Sequence, residues 1–248
     1  MRYCWLLLLF VFPLWLHASE SWTTLDLQRQ IPSEQIIMLK NGEQEFLTLE
    51  LENMTPFNKG TMILIPDWSQ HAASPRAIDF LRTQFIDYGW NTMTMMVPDP
   101  LPSLDTESYV AYQTEFQNRL AEVFKQASKK PGNLIIVAQG SSGAIINTML
   151  QEGKITTLQG LVLLSAYVQD VSMNKAMAKA LSQHKIPTLD IMQASDNTYV
   201  QSTQSLRLQL TRKHMKELYR QRILPRPIEQ ESEWLFKEIY GWLNYIGY

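Results

Sequence analysis

Between residues 61 and 224 one pattern recurs six times: a short apolar run followed by a stretch with helical periodicity. The runs are residues 61–65, 92–97, 134–138, 161–165, 188–193 and 219–224. A continuous apolar run of this length reads as a strand buried on both faces, and strands alternating with helices pair in parallel. The helical stretches carry matching apolar stripes. Ile78, Leu81, Phe85 and Tyr88 step by three and four, and Tyr109, Tyr112, Phe116, Leu120, Val123 and Phe124 form a second stripe behind Asp105, a candidate N-cap. Leu235, Ile239, Trp242 and Ile246 form the last. Upstream, residues 35–40 and 45–51 are strand-like and meet at Asn41-Gly42, a dipeptide that accepts the positive φ of a tight hairpin. The expectation is an α/β protein: eight strands, mostly parallel, opened by an antiparallel hairpin and covered on both faces by helices. No internal repeat or linker interrupts residues 19–248, so one domain is expected there, and 45% hydrophobic residues suffice for one sizeable core.

The first eighteen residues stand apart from this pattern. Arg2 precedes the apolar run of residues 5–16, which is too short to span a bilayer, and Ala18 stands where a signal peptidase would cut. Residues 1–18 are therefore expected to be a signal peptide, and the mature chain to be periplasmic. The one cysteine, Cys4, falls inside this segment, so disulfide and thiolate chemistry are not expected in the mature chain. With 22 Lys and Arg against 24 Asp and Glu, no basic field exists to gather nucleic acid. No phosphate-binding glycine loop and no paired metal-ligand histidines occur, and no cofactor is expected. Seven cations between Arg207 and Arg226 face Glu217 alone, which reads as a solvated helix face with weak contact to anionic envelope lipid as the alternative.

A hairpin followed by six βα units resembles the alpha/beta-hydrolase fold, in a form without a lid. That resemblance implies a serine on the sharp turn after the third parallel strand, an acid, a histidine after the last strand, and backbone N–H donors for an oxyanion. Two registers fit the turn Ala138-Gln139-Gly140-Ser141-Ser142-Gly143-Ala144. One places Gly140 at the nucleophile position and keeps the usual distance from the strand; the other places Ser142 there. Gly140 and its neighbours also read simply as a small-residue turn that packs a helix close to the sheet. Asp196 follows the strand 188–193, where the hydrolase acid commonly stands, and also reads as a loop cap; Asp170 is a weaker substitute. No histidine follows residue 224. His184 precedes a strand and reads as a surface residue, His214 lies in the basic stretch, and His71 lies beyond the first parallel strand, at the edge where sites form.

A narrower resemblance rests on Pro66-Asp67-Trp68, Gln70-His71, Gly89-Trp90, Tyr219-Arg220-Gln221, Leu224-Pro225 and Gly241-Trp242-Leu243. In this order they are similar to an uncharacterised family of exported alpha/beta-hydrolase-like proteins from Gram-negative bacteria, which often carries glycine at the nucleophile position. The family's usual histidine after Leu-Pro is missing here. The resemblance implies a fold whose serine-histidine machinery has lapsed and which acts by binding. The rival is an esterase using Ser142, Asp196 and a displaced His71. A third reading is an anion site on the exposed N–H groups of the helix after Gly140. Under each, the site is expected where Asp67, Trp68, His71, Gly140, Ser141, Ser142 and Asp196 converge, with Asp67 and His71 as a hydrogen-bonded pair and a small-molecule or anionic ligand.

Overall fold

The computed structural model describes residues 20–99, 106–227, 230 and 232–248. The signal peptide expected over residues 1–18 and the cap expected at Asp105 lie outside them. Eight strands form one sheet in the order β1-β2-β4-β3-β5-β6-β7-β8. Strands β1 (Ile36–Asn41) and β2 (Gln44–Leu51) are the antiparallel hairpin. β2 runs antiparallel to β4 (Trp90–Met95), and the remaining pairs, β4 with β3 (Gly60–Ile65) through β5 (Asn133–Gln139), β6 (Gly160–Leu164), β7 (Thr188–Gln193) and β8 (Tyr219–Leu224), are parallel. Asn41 pairs with Gln44, so the hairpin turns on Gly42 and Glu43; Gly42 takes a φ of 63°, which a side chain at this position would resist.

Strand side chains alternate between two cores. Ile63, Ile65, Ile136, Ala138 and Leu163 pack on α3 (Thr106–Ala127), α4 (Gly140–Gln151) and α5 (Val171–Gln183). Met62, Leu64, Val137, Val162 and Ile191 pack on α2 (Ile78–Gln84) and α7 (Ser232–Tyr245). Met93, Met95 and Met96 are buried, as core filling predicts. The opening helix, α1 (Glu20–Gln30), has no sequence signal, because it buries only Leu27. It is tied down by a charge. Glu20 accepts both terminal nitrogens of the buried Arg119, at 2.6 and 2.8 Å, and the same guanidinium donates to the Met96 carbonyl.

The basic stretch departs from a solvated face. Arg207, on α6 (Thr198–Lys213), is fully buried: it pairs with Asp190 of β7 at 3.1 Å and donates to the Ala166 carbonyl, while the Tyr219 hydroxyl donates to Asp190 at 2.8 Å. A guanidinium and a carboxylate out of water stabilise only as a pair; removing one partner from such a bridge costs about 3–5 kcal/mol. Arg212 and Lys213 remain exposed.

His184 is not a surface residue. It is 6% exposed, within 3.1 Å of Asn147 Oδ1 through Nε2 and 3.1 Å of Lys216 Nζ through Nδ1. Burial first, and the Lys216 charge second, push its imidazole down to about 3, and burial pushes the Lys216 amine down to about 7. Between pH 6.5 and 3 the unfolded chain therefore holds a proton at His184 that the folded chain does not, so stability falls as the pH drops through this window. Thermal midpoints measured from pH 7 to pH 4 should fall more steeply in the native protein than in His184→Gln, which cannot titrate. Parallel curves would remove His184 as a cause.

Candidate functional site

Strand β5 passes into α4 with no intervening loop: Gln139 is the last extended residue and Gly140 the first helical one. Gly140 bears the reversal with φ at 55°, which L side chains rarely adopt. Gly140 thus holds the elbow position, while Ser142 lies inside the first turn of α4, wholly buried, its hydroxyl donating to the Pro66 carbonyl at 2.6 Å. Space as well as backbone requires glycine at residue 140. A Cβ there would run into the Asp67 carboxyl group.

The loop after β3 carries that carboxyl group into the elbow. Asp67 Oδ1 accepts the Ser141 N–H at 2.8 Å, the Ser141 hydroxyl at 2.5 Å and the Trp68 N–H at 2.9 Å. Its other oxygen accepts the Tyr167 hydroxyl at 3.3 Å. Ser141 N–H belongs to the residue after the nucleophile position, and Trp68 N–H to the loop after the first parallel strand. These are the two sources from which a hydrolase of this fold builds its oxyanion hole. Here both donors converge on a carboxylate of the chain itself, and the α4 N-terminus that an anion would use is already engaged. The negative charge is felt nearby. Burial and then the Asp67 charge push the Tyr167 hydroxyl up to about 12, and the same two causes push Tyr112 upward.

The other expected residues do not join this group. Asp196 accepts the Ser165 hydroxyl at 2.8 Å and the Gln193 N–H at 2.6 Å. His71 accepts the Ala73 N–H at its Nδ1, and its backbone N–H donates to the Ser74 hydroxyl. Burial pushes its imidazole down, opposed by the Asp79 charge, and it lines a separate cavity with Asp79 and Arg82. Among the described residues no hydrogen bond links His71 to Asp67. The expected pair is replaced by Asp67 with Ser141, because the β3 loop folds its carboxylate onto α4 and turns His71 toward α2. Among the described residues Ser142, Asp196 and His71 thus each have other partners, and no hydrogen bond links one to another.

A cavity of about 140 Å³ opens beside Ser141, lined also by Trp68, Tyr109, Val168, Gln169, Asp170 and Met173. Tyr167, Val168 and Gln169 gave no chemical signal in sequence; their position just beyond β6, at the edge where α/β ligands bind, was the available clue. Trp68 stacks edge-on against Tyr112 at 6.5 Å, and the buried Tyr112 hydroxyl has no hydrogen-bond partner among the described residues.

Sheet order, helix placement and the strand-to-helix elbow define an alpha/beta-hydrolase fold. Among solved structures, the chain is similar to Est1E from Butyrivibrio proteoclasticus with ferulic acid bound, with a TM-score of 0.63 at 9% identity over 84% of this chain and 99% of that one. It is likewise similar to dienelactone hydrolase from Anabaena variabilis, with a TM-score of 0.59 at 14% identity over 85% of this chain and 96% of that one. At such identities the likeness concerns the fold alone. The chain belongs to the family described as "Protein of unknown function (DUF3530)", whose model matches residues 16–133 and 103–245. No curated protein matches it.

Truncating Asp67 to alanine should orphan the Ser141 and Trp68 N–H groups, at a cost of about 1–3 kcal/mol for a buried unsatisfied donor. Formate or acetate is expected to restore part of the lost thermal stability of Asp67→Ala saturably, and to leave the native protein unchanged. Equal effects of the anion on both proteins would show that the two N–H groups do not hold a carboxylate.

Proposed function

We propose that this is an exported, non-hydrolytic alpha/beta-hydrolase-fold protein of the periplasm that works by binding a small molecule with a polar head and an apolar body beside Ser141. The observation that carries the reading is the Asp67 carboxylate in the oxyanion position, packed against a glycine where a nucleophile would stand. A fixed negative charge at that point opposes the oxyanion that acyl transfer must develop. Ser142 adds to the case, since a hydroxyl buried against the Pro66 carbonyl meets neither base nor substrate.

The expected result with a fluorophosphonate probe is no labelling of the folded protein. Gly140→Ser should also stay unlabelled, because the new side chain meets Asp67 and no histidine follows Leu224 to take its proton. Stoichiometric labelling that vanishes in Ser142→Ala would instead establish the esterase.

Export is supported by Arg2, the short apolar run and Ala18. The mass of the protein purified from its native envelope should correspond to a chain starting near Ser19. A mass that retains Met1 through Leu16 would count against export by cleavage.

A further inference from the structure

The polar character of the cavity beside Ser141 is one-sided. Ser141 gives its only hydroxyl proton to Asp67, so toward the cavity it offers lone pairs. Asp170, at the rim, accepts from the Ser172 hydroxyl at 2.5 Å and the Met173 N–H at 2.8 Å, which hold its carboxyl below the usual range and ionised. Asp67 lies behind Ser141, held by four donors of which none is charged. Among the described residues no lysine, arginine or histidine lines the cavity, and the ion pairs include neither Asp67 nor Asp170.

Magnitudes decide whether the helix ends cancel this charge. The two carboxylates sit at the N-termini of α4 and α5, and each terminus carries roughly half a positive charge. The partial charge at each helix end offsets only part of a carboxylate's charge, and among the described residues no cation lines the cavity to meet the rest. The walls themselves are aromatic and soft: Trp68, Tyr109, Val168 and Met173. Aromatic faces attract cations, and alkylated ammonium groups above all. Sites for drug-sized ligands run to about 300–1,000 Å³, so a cavity of about 140 Å³ admits a head group rather than a whole ligand. Val171, on the same first turn of α5 as Met173, is exposed and apolar.

We infer that the cavity takes the ammonium or methylated ammonium head of a small organic cation, its apolar remainder lying over Met173 toward Val171. This rests on the reading of the crevice as a binding site and names the ligand class for it. The cation meets Asp170 at the rim, with Asp67 behind Ser141 adding to the negative field, Trp68 and Tyr109 supply the aromatic lining, and the Ser141 oxygen accepts from an N–H where the head has one.

The test is calorimetric titration of the purified full-length protein with choline, with the neutral isostere in which carbon replaces the nitrogen, and with hexanoate. Choline should bind saturably and at least about tenfold more tightly than the isostere, a difference of 1.4 kcal/mol. Asp170→Asn keeps an equivalent helix cap and removes one charge, so it should fold as before and bind choline severalfold more weakly. Trp68→Leu should weaken choline further. Equal or tighter binding of the isostere or of hexanoate, lost in Trp68→Leu, would overturn the cation and leave the binding site standing. Absence of choline binding would overturn the cation outright, and serine labelling by fluorophosphonate would separately remove the non-hydrolytic reading.

Discussion

One carboxylate organises the active edge of this sheet. Asp67 ties the loop after β3 to the first turn of α4 by two hydrogen bonds from Ser141 to one oxygen, which also accepts the Trp68 N–H of its own loop, and it can do so only because residue 140 has no side chain. The two positions are one structural unit. A serine at residue 140 and an aspartate at residue 67 contend for the same volume, so each position restricts the other sterically. The electrostatics follow: N–H groups at the positions from which a hydrolase of this fold would stabilise a transient anion here donate to a permanent carboxylate.

Elsewhere the fold spends its charges inward. Arg207 with Asp190 fastens α6 to β7 and, through the Ala166 carbonyl, to the start of the β6–α5 loop. Arg119 with Glu20 fastens α1, which has little apolar surface of its own, to α3. His184 and Lys216 meet near the opposite end of the sheet, beside Asn147 of α4. The first of these contacts lies close to the candidate site: the loop that Arg207 holds by its carbonyl continues into Tyr167 and Val168, so the buried ion pair helps to set the cavity wall.

Those contacts also mark where sequence reading stops. The strands, the hairpin and the α4 elbow were legible because each leaves a local trace: an apolar run, an Asn-Gly pair, a cluster of small residues next to a strand. Gly140 could be named as one of two elbow candidates from spacing, and its φ decides between them. Arg207 read as a solvated cation because its apolar surroundings come from β7 and β6, and nothing at residue 207 records that Asp190 faces it. His184 failed for the same reason. Asp67 and His71 were expected as partners because they are near in sequence and share an edge. Yet a loop that turns sharply after Asp67 sends the carboxylate to α4 and His71 to the cavity beside α2, and only the packed chain decides which donor the carboxylate meets.

The comparison with solved hydrolases at 9% and 14% identity then has a physical reading. A sheet covered on two faces needs only apolar volume at alternating positions, a requirement that many sequences satisfy, so the scaffold persists while identity drains away. Catalysis needs specific atoms at specific distances, and here it stands or falls on a few positions: residue 140, residue 67 and a histidine beyond Leu224-Pro225. Serine at residue 140 collides with Asp67, removal of Asp67 alone leaves two N–H donors facing nothing, and neither change supplies a base. Under the proposed binding role, the coupling of residues 140 and 67 makes the fixed carboxylate behind Ser141 part of what a ligand reads.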